Sequence, residues 1–209
     1  MLDIIIGNYI KFNDDELKKF FRIRKKIFKD ELNWLVKCKK GMEFDDFDNN
    51  NAFYLIGEFK NEVVCGCRFI DMKKRNMCTD VFYKYFDSIV IKEGNYIELT
   101  RLFTDKEKIK NFGLKKTIIN LILFIEILKF SSKLGYEGIY AVASEQLLNC
   151  LITSGWDIKI QKRGKSEKNE YIYLIIMPTL ACNLSSLEHE LKKETTAINY
   201  KLEYKVSNR

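Results

Sequence analysis

The run GMEFDDFDNNN, Gly41 to Asn51, places Glu43, Asp45, Asp46 and Asp48 within six positions of a chain whose formal net charge is +7. Carboxylates this close to one another call for a cation: a metal, basic side chains or a positively charged ligand. A calcium loop counted from Asp46 fails at its fixed positions, because Asn51 takes the glycine position and Gly57 the place of the closing carboxylate. Zinc and serine-triad chemistry lack their parts. His189 is the only histidine, and the six cysteines include no C-x-x-C pair. Cys65 and Cys67 fall on one strand face, where a disulfide between neighbours is geometrically poor. Reduced, mostly buried thiols and no metal are therefore expected. Since most acidic runs are solvated loops, the acids need positioning elements before they mean anything.

Hydrophobic spacing supplies those elements. Asp3–Ile6 reads as a strand. Leu17, Phe20, Phe21, Ile23, Ile27, Phe28 and Leu32 then recur at helical spacing, with Asp14 and Asp15 as an acidic start that suits the helix dipole. The acidic run follows as a loop. AFYLIGEFKNEVVCGCRFIDM reads as a hairpin turning near FKNE, TDVFYKYFDSIV as a short helix and YIELTRLFTD as a strand. FGLKKTIINLILFIEILKFSSKLG is a long helix stopped by Gly135, followed by strand EGIYAVAS, helix EQLLNCLITSG and strands WDIKIQKRG and EYIYLIIMP. That order predicts an α/β fold, a three-layer α-β-α sandwich on one mixed central sheet. Residues 1–209 are expected as a single domain, with 181–209 a polar extension of helix and tail that has no assigned role.

Composition narrows the function classes. At 46% hydrophobic and 13% aromatic residues, a real core is expected rather than global disorder. No apolar run approaches the roughly 18 residues of a membrane span. The amino terminus lacks the basic region and cleavage site of a secretory signal, so the expected location is the cytoplasm. Basic residues are scattered in pairs and the aromatics lie in apolar patterns, so nucleic acid is not an expected partner.

Five motifs in order carry a resemblance. RIRKKIF with LNW, then GMEFDDFD, CRF, NMCTDVF and IELTRLF are similar in order and spacing to the acyl-homoserine-lactone synthases of the autoinducer synthase family. The matching positions are Arg24, Phe28, Trp34, Glu43, Asp45, Asp48, Arg68, Phe82, Glu98, Thr100 and Arg101, within about residues 1–180. The second half resembles the GNAT (acyl-CoA N-acyltransferase) fold, in which a strand leads through a pyrophosphate-binding loop to a long helix. Gly113 is the only glycine in KIKNFGLKKTIIN, where users of coenzyme A normally have two. This favours a thioester donor other than free coenzyme A.

The resemblance implies two substrates, S-adenosylmethionine and an acyl thioester on acyl carrier protein, with no cofactor and a monomeric enzyme. The products would be an N-acyl-homoserine lactone, methylthioadenosine and free carrier protein. S-adenosylmethionine brings a sulfonium and an ammonium, which a basic protein would repel without a local acidic feature. Asp45 and Asp48 would supply it. Phe28 and Trp34 suit a cation or adenine, and Arg24 suits a carboxylate of the substrate or of the loop. Glu98 would take the ammonium proton, while Arg68 and Arg101 pair with carboxylates and shape the site; Phe82 and Thr100 complete the substrate-binding set. Residues 98 and 100 share a strand face, with Arg101 on the other unless a bulge intervenes. Leu99, Leu102, Ile127, Ala141, Ala143 and Leu147 would line the acyl pocket. Ala141 stands where makers of 3-oxo products tend to have threonine, which favours an unsubstituted chain. Lys115, Lys116, Lys162, Arg163 and Lys165 are the basic candidates for carrier docking. The alternatives are an N-acyltransferase that uses acyl-coenzyme A on another amine, and a binding domain that kept the fold.

Overall fold

Strand β1 (Leu2–Asn8) buries Leu2, Ile4 and Ile6 and leaves Asp3 and Ile5 half-buried, the period-two pattern of a one-sided strand. The computed structural model describes residues 1–197, 200 and 202–209. Helix α1 (Asp14–Arg24) follows, then a ribbon of β2 (Cys38–Lys39) and β3 (Met42–Glu43), and a hairpin of β4 (Ala52–Phe59) and β5 (Glu62–Asp71). Next come α2 (Met77–Asp80), β6 (Tyr96–Thr104), α3 (Lys106–Asn111), α4 (Lys116–Lys133), β7 (Gly138–Ser144) and α5 (Glu145–Thr153). β8 (Lys159–Lys165), β9 (Tyr171–Pro178), α6 (Ala181–Ala197) and β10 (Tyr204–Asn208) complete the order. The fold is α/β with a mixed sheet: β1 with β10 and β6 with β7 are parallel, whereas β1–β4, β7–β9 and β8–β9 are antiparallel. No helix among the described residues is long and apolar enough to cross a membrane.

The chain forms two compact units. The first comprises Met1–Phe69, Arg101–Asn120 and Lys201–Arg209. Its α1 begins with a capping box in which Asn13 accepts from the Asp15 and Glu16 N–H groups and Glu16 answers to the Asn13 N–H. The helix buries Leu17, Phe20, Phe21 and Ile23, each worth about 1.5–3 kcal/mol when taken from water. Gly66 of β5 makes that approach possible: a Cβ there would stand 2.7 Å from the Leu55 carbonyl oxygen and 2.7 Å from the Phe20 ring. Arg68, two residues on, shares that strand face and so lies on the side that α1 covers. The hairpin closes through Lys60 and Asn61 at φ 53° and 62°, the paired left-handed geometry of a tight type I′ turn.

The second unit comprises Ile70–Thr100 and Leu121–Tyr200. Its strand ladder of β6 on β7 pairs only Tyr96 with Gly138, Ile97 with Ile139 and Glu98 with Tyr140. β7 continues to Ser144 paired with β9 alone, so the two parallel strands part after Glu98.

Several elements differ from the sequence expectation. The amino-terminal helix widens to a π-helix over Lys25–Glu31, along which ion pairs fall at a five-residue spacing, Lys25–Asp30 at 2.8 Å and Lys26–Glu31 at 3.8 Å. The short helix expected over TDVFYKYFDSIV is a four-residue α2 and a 3-10 turn at Phe82–Tyr85. α3 was hidden inside a charged run. The tail expected beyond α6 contains β10, which pairs with β1 from Tyr204 to Asn208. All six cysteines are free, but only Cys65, Cys67 and Cys78 are buried, half of them rather than most. Burial pushes the Cys65 thiol up to about 12, so it is an inert packing group.

Candidate active site

In the first unit the acidic run folds inward onto three arginines. The Asp48 N–H donates to the Asp45 carbonyl at 3.0 Å, and the Asp45 N–H donates to Asp48 Oδ2 at 2.9 Å, so a tight turn sets both carboxylates on one side. Arg24, at the end of α1, forks onto Asp48 at 2.7 and 2.9 Å and reaches Glu43 Oε2 through Nε at 2.6 Å. Arg68 lies 2.6 Å from Asp45 Oδ1 and 3.0 Å from Asp48 Oδ1. Arg101 meets Glu43 at 3.0 Å and Asp45 at 2.9 Å. Three guanidinium groups thus face three carboxylates, and the set is neutral.

Arg101 gets there by an unusual backbone. It sits in β6 at φ 54°, a left-handed conformation rare for a non-glycine residue. The strand alternation is broken at that point, as the sequence left open. Strain of this kind costs on the order of 1–3 kcal/mol and persists where its surroundings over-determine it; here two carboxylates hold the side chain.

Burial and charge act together on the network. Burial alone would lower the Arg24 pKa, but Asp48 and Glu43 more than offset it and hold the guanidinium charged. Burial would raise the Asp48 carboxyl, yet Arg24 and Arg68 hold it well below the usual carboxylate range. Glu43 and Asp48 keep 0% and 1% of their side chains exposed, against 11% for Asp45. Asp46 is separate, paired with Lys37 at the surface.

The aromatic pair lies beside the network. Phe28 is buried and stacks on Trp34 with centroids 5.0 Å apart and planes at 25°. The Arg101 guanidinium lies over the Phe28 ring at 5.6 Å, and the Trp34 N–H donates to the Phe28 carbonyl at 2.8 Å. Trp34 itself stays 40% exposed. Phe28 is therefore the buried base of the stack and Trp34 its open face.

Gly113 sits in a helix-ending turn. At φ 68° it ends α3 in a Schellman closure: its own N–H donates to the Lys110 carbonyl at 3.0 Å and the Leu114 N–H to that of Ile109 at 2.8 Å. Lys115 and Lys116 are exposed at the start of α4.

All but Leu102 of the remaining expected residues belong to the second unit. Glu98 is fully buried and accepts from the backbone N–H groups of Met77 at 3.0 Å and Cys78 at 2.5 Å. Nothing in the spacing of Met77, Cys78 and Glu98 signals this anchor. Burial, reinforced by Glu98, raises the Cys78 thiol well above its ordinary value. Phe82 packs against the cluster of Cys78, Phe86, Tyr140, Leu174 and Ile176. Thr100 is buried.

Glu98 stands beside Tyr140 in the register, so Glu98, Thr100, Tyr140 and Val142 share one sheet face. Leu99, Ala141 and Ala143 lie on the other, with Ala141 opposite Ile175 and Ala143 opposite Tyr173. Ile127 is buried in α4, and Leu147 is half-buried in α5, as is Leu102 of the first unit. Lys162, Arg163 and Lys165 line the outer strand β8, where Arg163 and Lys165 lie over the Tyr171 ring at 4.7 and 5.5 Å.

Two residues in the network had no assigned part. Glu43 bridges Arg24 and Arg101, although the motif that contains it was visible. The buried Tyr54 donates to Asp48 Oδ1 at 2.7 Å. Its position in an apolar strand gave no signal of this.

The chain is similar to known proteins of one family. The family model for autoinducer synthase matches residues 8–187. An acyl-homoserine-lactone synthase of Serratia liquefaciens is 41% identical over 197 residues, spanning 94% of this chain and 98% of that one. The solved structure of BjaI, a CoA-dependent acyl-homoserine lactone synthase with SAM and isopentyl-CoA, superposes with a TM-score of 0.81 at 18% identity, covering 100% of this chain and 95% of BjaI. An acyl-CoA N-acyltransferase from Pseudomonas aeruginosa matches with a TM-score of 0.56 at 12% identity over 84% of this chain and 99% of its own, a likeness of fold.

Proposed function

The chain belongs to the autoinducer synthase family and is an acyl-homoserine-lactone synthase, an acyltransferase, and on that premise we propose that it joins S-adenosylmethionine to an acyl chain carried by acyl carrier protein. The observation that carries the choice of donor is the closure of Gly113. Its N–H and that of Leu114 are spent on ending α3, so two donors that a pyrophosphate would use are taken.

S-adenosylmethionine is held by Asp45, the network carboxylate with the most exposure, and by the open face of Trp34. An aromatic face attracts the sulfonium and stacks on adenine. Neutralised acids attract a cation less than bare ones, so the network acts chiefly by orientation. Glu98 takes the ammonium proton, directly or through a water, and the nitrogen then attacks the thioester carbon; as the amide forms the C–S bond breaks, and the carrier thiolate leaves and takes up a proton. The two backbone N–H groups on Glu98 fix the orientation of its carboxylate. Charge developing on the thioester oxygen is met by backbone N–H groups where β6 and β7 part. The substrate carboxylate then displaces methylthioadenosine from its own γ-carbon and closes the lactone. A sulfonium is a good leaving group, so this step needs attack geometry more than acid or base. The acyl tail lies against Leu99, Ala141 and Ala143, and the basic edge at Lys162, Arg163 and Lys165 receives the acidic carrier protein. The setting is the cytoplasm.

The test is turnover with S-adenosylmethionine and a matched panel of acyl carrier proteins and acyl-coenzyme A thioesters, with products weighed by mass spectrometry. Lactone formed faster from the carrier thioesters is the expected result. E98Q should still bind S-adenosylmethionine but lose about 10²–10⁴-fold in turnover. Turnover with coenzyme A thioesters alone would overturn the choice of donor.

A further inference from the structure

Tyr54 is the largest uncharged side chain in contact with the arginine–carboxylate network, and it is fully buried. Its ring is fixed on several sides: Phe20 lies 5.3 Å away, Phe12 6.0 Å, Tyr9 6.1 Å and Phe21 6.2 Å between centroids. A ring packed this way holds its hydroxyl at one point, and that point is 2.7 Å from Asp48 Oδ1. Burial, with the Asp48 charge beside it, pushes the phenol well above its ordinary pKa, so it remains a donor.

Asp48 is the node that this donor addresses. Its Oδ1 also takes Arg24 at 2.7 Å and Arg68 at 3.0 Å, and its Oδ2 takes Arg24 at 2.9 Å and the Asp45 N–H at 2.9 Å. With 1% of its side chain exposed, Asp48 has no surface left for a ligand. Rotation of this carboxylate would move the Arg68 fork and the turn at Asp45 together. Asp45, with 11% of its side chain exposed, is the acid that can still meet a ligand.

We propose that Tyr54 is a positioning residue for the amine donor: its hydroxyl fixes the rotamer of Asp48 and, through Arg68 and the Asp45 N–H, the orientation of the Asp45 carboxylate. Asp48 and Asp45 thus divide the work that the sequence assigned to them jointly, one as a buried hinge and the other as the contact. This rests on the reading that S-adenosylmethionine binds at Asp45 and Trp34.

The experiment is calorimetric titration of S-adenosylmethionine into wild type, Y54F, D48N and the Y54F/D48N double variant. Y54F keeps the ring packing and removes one charge-assisted hydrogen bond, so affinity should fall about tenfold. Stoichiometry counts folded sites, so loss of fold lowers the stoichiometry while leaving affinity unchanged, and the two effects separate. If Tyr54 acts through Asp48, Y54F adds nothing on top of D48N. Wild-type titration with Y54F affinity within twofold of it, or full additivity with D48N, overturns the inference alone. Absence of wild-type binding sinks the reading of the site, and the inference with it.

Discussion

Replacing Glu43 with Gln keeps its shape and removes one fully buried charge from a set of three acids and three arginines. The set is then two carboxylates against three guanidinium groups. Arg24 Nε, 2.6 Å from Oε2, and Arg101, 3.0 Å from Oε1, cannot both find an acceptor on an amide. Breaking a buried pair on one side costs about 3–5 kcal/mol, because the surviving charge stays desolvated. With an unfolding entropy of about 2.1 cal/mol/K per residue, a chain of this length should lose about 7–11 °C in Tm. Scanning calorimetry on wild type, E43Q, R101Q and the E43Q/R101Q double variant reads both the loss and its origin. The double variant restores charge balance at two against two, so it should be about 1–2 kcal/mol more stable than the sum of the single losses. A Tm fall below about 2 °C for E43Q, or strict additivity in the cycle, would refute the reasoning that matched charge holds this site together.

Three further outcomes follow from the same geometry. W34A should weaken S-adenosylmethionine binding by about 5–100-fold while W34F retains most of it, since the exposed face stacks on the ligand; equilibrium binding by calorimetry checks this. Stability should fall as acid protonates Asp48: its native pKa is depressed by Arg24 and Arg68, so its contribution is complete above about pH 4 and is lost as pH falls through the native value. Thermal melts from pH 6 to pH 2.5 should show that decline in wild type and a shallower one in D48N. A141T adds a hydroxyl on the sheet face shared with Leu99 and Ala143, and product mass spectrometry should show a larger share of 3-oxo-acyl lactone; an unchanged profile counts against that face as the acyl lining.

Much of this was legible in spacing. The run Asp3–Ile6 announced β1, the apolar spacing of Phe20, Phe21 and Ile23 announced α1, and the acidic run announced a loop. What stayed hidden depends on contacts distant in sequence. Carboxylate partners for Arg24, Arg68 and Arg101 were expected from the resemblance, but nothing in the run GMEFDDFDNNN says that Arg24, 19 residues before Glu43, and Arg101, 58 after it, converge on that one acid. The left-handed turn at Arg101 has no glycine or asparagine to mark it. The π-helix at Lys25–Glu31 obeys nearly the same apolar spacing as an α-helix, and only the five-residue ion pairs distinguish it. Tyr54 in an apolar strand looks like core, and it is core as well as a donor. β10 carries too few apolar residues to announce itself, since its side chains are mostly exposed and its pairing is backbone to backbone.

The most direct test follows a single turnover of wild-type enzyme with S-adenosylmethionine and acyl carrier protein, quenched and weighed. Methylthioadenosine, acyl-homoserine lactone and deacylated carrier should appear in equal amounts. Carrier left fully acylated, or methylthioadenosine released without lactone, would contradict it.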